Sequence, residues 1–207
     1  MRYNWNAIKL SVICVIVFIL QMMNDPWLTE ELLLNSAELF SKPWMIVTHI
    51  FAHGSINHIF FNIFALAMFG SILESIIGGR KFLFVFFASG IVAGLGSFLF
   101  YEASLGASGA VMGIMGTLAV LRPRMTVYVS YFPMPMSVAV IVWALGDLFG
   151  FFNPFTNVAH IAHLAGMAIG LIYGLKVKNK YGRKYPKRIR YREIGEEKIR
   201  EWEDEWL

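Results

Sequence analysis

The chain has 207 residues, of which 57% are hydrophobic and 15% are charged, and its mean hydropathy is +0.57. A water-soluble domain carries about 25% charged residues, so the composition excludes an ordinary soluble domain and indicates a membrane protein. The length suits a single domain, and the one cysteine, Cys14, excludes an intrachain disulfide.

Six apolar segments predict transmembrane helices, because a helix that crosses the bilayer needs about 20 mostly apolar residues. They cover roughly residues 8–23, 58–78, 82–101, 106–121, 135–150 and 159–176. The stretch 125–134 alternates apolar and polar residues before Pro133 and Pro135, which predicts a connector that does not cross the membrane. The fold class that we expect is therefore an all-α membrane protein with six transmembrane helices.

The lysines and arginines predict the orientation of these spans. Arg2 and Lys9 flank the first span, and other basic residues lie between spans two and three and between spans four and five. With six spans, these places and the basic segment after span six all fall on one side, which the positive-inside rule assigns to the cytoplasm. We expect a multi-pass protein of the cell membrane with both termini cytoplasmic.

The composition changes after the last predicted span. We expect residues 1–176 to form the six-span domain and residues 177–207 to form a charged cytoplasmic tail, basic at first and then acidic-leaning. A segment beside anionic lipid is the simpler interpretation of the basic part, so we expect no nucleic-acid partner. The role of the tail and the oligomeric state stay open at this point.

Four polar residues lie at one depth in the predicted spans. His58 and Asn62 (span two), Ser108 (span four) and His163 (span six) all fall in the outer third of the bilayer. Polar residues inside spans are costly and usually mark function or tight packing. Each of them alone would be a packing or interfacial residue, but together they indicate a site.

These residue types suit nucleophilic catalysis. A serine hydroxyl needs a neighbouring base, and an imidazole is the usual one. Ser108 lies at the start of a predicted helix, where free backbone N–H groups can stabilise an oxyanion, with His58 and Asn62 as side-chain donors. The small residues Gly166 and Gly170 predict tight packing of span six against span four, which would bring His163 to Ser108.

Other polar positions are expected to have supporting roles. Glu74 should bond to backbone or to a basic residue, and His49 and His53 should be structural or interfacial. His160 should line the same cavity as His163 without being the base. Asp147, at the outer end of span five, could be the third member of a triad, but no acid is clearly placed to complete one, so the pattern favours a dyad.

Five motifs occur in order between about residues 40 and 175: WMIVTHIFAH at 44–53, His58-x-x-x-Asn62, Gly70-x-x-x-Glu74, GASGA at 106–110 and AHLAG at 162–166. With them the chain resembles the rhomboid family of intramembrane serine proteases, in its minimal six-span form. The resemblance implies a Ser–His dyad in which Ser108 attacks and His163 acts as general base and then acid. It also implies an oxyanion hole lined by His58, Asn62 and the backbone N–H of Ser108.

The resemblance further implies that the substrates are other membrane proteins, cut in or near a transmembrane segment, and that no cofactor or metal is needed. Loop 24–57 would be a partly embedded lateral loop, and spans two and five, with loop 151–158 as a cap, would form a gate. The chain departs from the family at Met45, where some members have arginine, and at Met112, where a tyrosine often stacks on the histidine. The orientation of His163 would then rest on Met112 or on helix packing.

Three other functions fit parts of the pattern. A non-catalytic rhomboid relative that binds membrane clients would lack the serine or the histidine, and this chain keeps both. A transporter would predict inverted repeats or paired broken helices, which the sequence does not display. A metalloprotease would need His-Glu-x-x-His, which is absent, and we expect no acidic residue near the histidines.

Overall fold

The computed structural model describes residues 5–24, 27–129, 131–153, 155, 156 and 158–182. Of the predicted tail 177–207, residues 183–207 lie outside the described residues. The helices of the described part are α1 (Asn6–Asn24), α2 (Trp27–Leu32), α3 (Met45–Thr48), α4 (Ile56–Ala65), α5 (Ser71–Ile77), α6 (Gly79–Phe100), α7 (Ser108–Leu121), α8 (Met136–Phe151) and α9 (His160–Tyr181). A π-helical segment, Leu66–Gly70, joins α4 to α5, and the short strands are β1 (Leu34–Asn35), β2 (Ala103–Ser104), β3 (Thr126–Val129) and β4 (Phe132–Pro135).

Four helical stretches in the described ranges are long and apolar enough to cross a membrane. They are Asn6–Met23, Ile56–Ile77, Gly79–Phe100 and His160–Tyr181. The other two predicted spans form helices α7 and α8, which are apolar but have only 14 and 16 residues. Length and composition therefore make these four helices candidate crossings, and α7 and α8 fall below the roughly 20 residues that a straight crossing needs. Helix α9 continues past residue 176, where we expected the domain to end.

The all-α expectation needs one small correction, because two short antiparallel ladders are present. Strands β3 and β4 form a hairpin in which Val129 pairs with Phe132 and Thr126 with Pro135. This hairpin is the connector that alternation and prolines predicted for 125–134. Its two prolines lie on β4, which pairs only with β3 in the described part of the chain, and proline is tolerated on such an edge strand.

The segment between α1 and α4 is tied to the loop before α7. Strand β1 pairs with β2, with Leu34 opposite Ser104. The Ser36 hydroxyl donates to the carbonyl of Tyr101 at 2.6 Å, and the backbone N–H of Gly106 donates to the carbonyl of His49 at 2.8 Å. The start of α7 is therefore fixed by contacts with a segment that lies more than 50 residues earlier in the chain.

Helices α7 and α9 pack with their backbones almost in contact. A Cβ atom added at Gly166 would overlap the carbonyl oxygen of Gly109, and one added at Gly170 would overlap the carbonyl oxygen of Gly113. The hydroxyl of Thr117 crosses the same interface and donates to the carbonyl of Gly170 at 2.9 Å. The packing predicted from the small residues of span six is confirmed, and it places the first turns of α7 and α9 side by side.

Glu74 holds the start of α1. Its side chain is buried, and its two carboxylate oxygens accept hydrogen bonds of 3.1 Å from the backbone N–H groups of Asn6 and Ala7. The first N–H groups of a helix have no partner within the helix, and a negative charge there is also favoured by the helix dipole. The expected bond from Glu74 to backbone is therefore confirmed.

Candidate active site

The side chains of Ser108 and His163 meet at the start of α7 and α9. Oγ of Ser108 lies 2.8 Å from Nε2 of His163, a hydrogen-bonding distance, although the residues are 55 positions apart. Ser108 is the first residue of α7. The turn that leads into it has Gly106 at φ +118°, a backbone conformation that residues with a Cβ rarely adopt.

His58 and Asn62 lie beside this pair, one turn apart on α4. A Cβ atom on Gly106 would come within 2.7 Å of the His58 ring and 3.8 Å of Ser108 Oγ, so the imidazole packs against the turn that carries the serine. Asn62 is buried and lines the same cavity as Ser108. One N–H of its amide donates to the carbonyl of His58 at 2.9 Å. The four residues predicted to form the site are therefore close together.

His163 has a second partner, Asp147, which the sequence pattern had left as a disfavoured alternative. Its Nδ1 lies 2.9 Å from Oδ1 of Asp147, and Nδ1 of His160 lies 2.8 Å from the same oxygen. Our expectation that no acidic residue lies near the histidines is wrong, because Asp147 contacts both His160 and His163. Asp147 is at the end of α8 and His163 is in the first turn of α9, and the short loop between these helices brings the two ends together. The predicted topology already made spans five and six antiparallel neighbours along the chain. It therefore offered a signal that Asp147 and His163, both at outer ends, could lie close together.

Asp147, His160 and His163 could in principle share a metal ion, since one ligand atom from each lies within 4.8 Å of the others. Zinc holds nitrogen and oxygen ligands at about 2.0–2.1 Å in tetrahedral geometry, which separates neighbouring ligand atoms by roughly 3.3 Å. The observed separations of 2.8 and 2.9 Å are shorter and are typical of hydrogen bonds. The arrangement therefore fits two imidazole N–H groups that donate to one carboxylate oxygen.

The two histidines before α4 have structural environments. His49 and His53 are 4% and 2% exposed, and their Nδ1 atoms bond to the carbonyls of Met45 and Phe51. Burial lowers the pKa of each from 6.5 to about 4, because a buried imidazole resists taking up a charge. They are neutral at pH 7, in agreement with the structural role expected for them.

A mainly apolar cavity of about 280 Å³ opens beside Ser108, between α4, the π-helical segment, α7 and α8. Its wall includes Asn62, Met68, Met112 and Trp143. Met112, which stands where a family tyrosine was expected, is thus part of the cavity wall. Met45, the other departure, is fully buried in the segment before α4.

Comparison with known proteins identifies relatives of the chain. A family model described as the Rhomboid domain matches residues 41–180. The "Rhomboid protease GlpG" of Yersinia pseudotuberculosis serotype I (strain IP32953) is 27% identical over 172 residues, which cover 80% of this chain and 60% of that protein. The "Putative rhomboid protease YdcA" of Bacillus subtilis (strain 168) is 26% identical over 187 residues, covering 83% and 92% of the two chains. The chain thus spans three fifths of the first relative and most of the second.

Proposed function

Because the chain belongs to the rhomboid family, we propose that it is an intramembrane serine endopeptidase that cuts other membrane proteins in or near their transmembrane segments. The observation that carries the proposal is the 2.8 Å contact between Ser108 Oγ and His163 Nε2. The relatives named as rhomboid proteases support the same reaction class.

The proposed reaction begins when His163 takes the hydroxyl proton of Ser108 at Nε2. Oγ attacks the scissile carbonyl carbon and forms a tetrahedral intermediate, and the protonated His163 then gives its proton to the leaving amine. A water molecule, activated by the same imidazole, hydrolyses the acyl-serine and restores the hydroxyl. The side chains of Ser108 and His163 are partly buried beside the cavity, which limits the competing access of bulk water.

The oxyanion of the intermediate would be stabilised by three groups in this proposal. The backbone N–H of Ser108 belongs to the first turn of α7, where N–H groups have no partner within the helix. His58 lies against the turn before Ser108 and can donate from its ring. The amide of Asn62 uses one N–H for the His58 carbonyl, which leaves its second N–H for the oxyanion. Such donors typically contribute 10²–10³ in kcat each.

We also propose that the protein crosses the cell membrane six times with both termini in the cytoplasm, α7 and α8 being the two shorter crossings. The catalytic domain would then end with α9, a few residues beyond the expected boundary at 176, and the residues after it would form a cytoplasmic tail. The distribution of lysine and arginine supports this orientation. The cavity beside Ser108 is lined from α4 and α8, which supports entry of substrate between spans two and five.

The test is cleavage of a model transmembrane substrate by purified variants in detergent or liposomes. Ser108→Ala and His163→Ala should abolish cleavage while the proteins stay folded. Ser75→Ala is the matched control, because Ser75 is exposed and its hydroxyl bonds only within its own helix turn in the described structure. Full activity of Ser108→Ala would refute the mechanism. Binding of the substrate without cleavage by the unmodified protein would favour a non-catalytic client-binding relative.

A further inference from the structure

The carboxylate of Asp147 lies between the imidazoles of His160 and His163, and the two-residue mechanism gives it no role. We propose that Asp147 is a positioning residue for His163, which makes the site a triad of Ser108, His163 and Asp147 with His160 as a second anchor for the acid. This inference rests on the proposed function, since it assigns a partner to the proposed general base.

The hydrogen-bond chemistry of the carboxylate fixes the protonation of the base. An ionised carboxylate can only accept hydrogen bonds, so the Nδ1 atom of His163, 2.9 Å away, must carry a proton. The neutral ring then has its lone pair on Nε2, which faces Ser108 Oγ at 2.8 Å. The other tautomer would present an N–H to the serine and could not take its proton. Asp147 therefore holds His163 in the form that a general base needs.

The acid is itself held in place from two sides. Asp147 is 6% exposed, and a buried carboxylate is costly unless it is hydrogen-bonded. His160 and His163 are three residues apart in the first turn of α9 and both donate to Oδ1, whereas Oδ2 has no hydrogen-bond partner among the described residues. With its Nδ1 proton directed at Asp147, His160 accepts at Nε2 from the Thr156 hydroxyl, 3.0 Å away.

The ring of His160 occupies space that a side chain on α8 would fill. A Cβ atom on Gly150 would lie 2.8 Å from Nδ1 of His160 and closer still to other ring atoms. The missing side chain thus lets the His160 ring reach Asp147 across the interface between α8 and α9. The nucleophile, the base and the acid come from α7, α9 and α8 in turn, so the orientation of the base depends on how α8 packs against α9.

The kinetic test is Asp147→Asn, which keeps the size of the side chain but removes its charge and can offer an N–H to His163. We expect kcat for a transmembrane substrate, and the rate of labelling by a fluorophosphonate, to fall about 100-fold or more, since removal of the acid in soluble triads costs about 10⁴. KM and the thermal unfolding temperature should stay near the wild-type values, because the acid does not touch the substrate. His160→Gln is the comparison variant and should lose less than about tenfold, since His163 keeps its own bond to Asp147.

A kcat for Asp147→Asn within about threefold of the wild type would overturn the inference while leaving the proposed function intact. So would a loss in His160→Gln as large as that in Asp147→Asn, because the effect would then come from the interface between α8 and α9 and not from the base. Retained activity in Ser108→Ala would instead overturn the proposed function.

A second measurement reads the tautomer directly and does not depend on activity or on the folding of an Asp147 variant. The chain has five histidines, so nitrogen-15 NMR of histidine-labelled Ser108→Ala protein can resolve each ring, with His160→Gln removing one signal for assignment. Without the serine hydroxyl, a preference of His163 for a proton on Nδ1 must come from Asp147. We expect Nδ1 to be protonated and Nε2 to be bare. A proton on Nε2 of His163 with a bare Nδ1 would overturn the inference.

Discussion

Replacing Gly166 by alanine should increase the distance between Ser108 and His163 without changing either reacting side chain. The added Cβ would lie 2.8 Å from the carbonyl carbon of Gly109 and 3.2 Å from its Cα, whereas ordinary contact begins at 3.4 Å. The obstacle is backbone and not the end of a flexible side chain, so α9 must move away from α7 by roughly 0.6 Å or more at this point.

That displacement acts directly on the proposed catalytic pair. Gly109 follows Ser108 in the chain, and Gly166 is three residues after His163, so both partners of the clash are within one helical turn of the reacting groups. A separation of 2.8 Å between Oγ and Nε2 would lengthen to about 3.4 Å or more, near the limit of a hydrogen bond. Misplacement by about 1 Å can cost 10²-fold in rate, so we expect Gly166→Ala to lose about tenfold to 100-fold.

The assay is the rate of fluorophosphonate labelling and of substrate cleavage, each normalised to folded protein from a thermal unfolding curve. Gly146→Ala is the matched control, because its Cβ would meet nothing within 4 Å, and alanine favours a helix over glycine by about 1 kcal/mol. It should label at the wild-type rate. A Gly166→Ala protein that melts at the wild-type temperature and labels as fast as Gly146→Ala would show that α7 and α9 tolerate the extra methyl group without moving apart.

Three further outcomes are expected. Glu74→Gln should lower the free energy of unfolding by about 1–3 kcal/mol, because a neutral amide replaces the carboxylate that accepts from Asn6 and Ala7; an unchanged unfolding temperature would contradict this. Burial lowers the pKa of His49 and His53 to about 4, so the unfolded chain takes up these protons first. Stability should be unaffected above about pH 6.5 and should fall as the pH drops towards 4, less steeply in His49→Gln; equal slopes would count against it. Cleavage should survive a metal chelator, and its loss would instead favour the metalloprotease alternative.

The sequence was sufficient for those parts of the fold and site that depend on local patterns. Each predicted span corresponds to a helix within a few residues of its expected bounds, because apolar run length is read directly from the chain. The close approach of α7 and α9 was also predictable, since Gly166 and Gly170 are spaced to share one helix face. Once those helices are adjacent, the meeting of Ser108 with His163 follows.

The features that could not be predicted depend on contacts between distant segments, and no pattern in the sequence links those segments. Asp147 was given too little weight because the sequence places it only at the outer end of span five, whereas the turn from α8 to α9 brings it onto both His160 and His163. The π-helical turn Leu66–Gly70 was not anticipated, because its residues suit an ordinary helix equally well. The β1–β2 ladder pairs only two residues per strand, too few for alternation to predict a strand.

Covalent labelling of the protein tests whether Ser108 is a nucleophile activated by His163. A fluorophosphonate reacts with an activated serine hydroxyl and leaves an unactivated one unmodified. The purified protein should be labelled at one site, identified by mass spectrometry as Ser108, and labelling should disappear in Ser108→Ala and in His163→Ala. Labelling that persists in Ser108→Ala, or a folded and cleavage-competent protein in which Ser108 never reacts, would contradict the account.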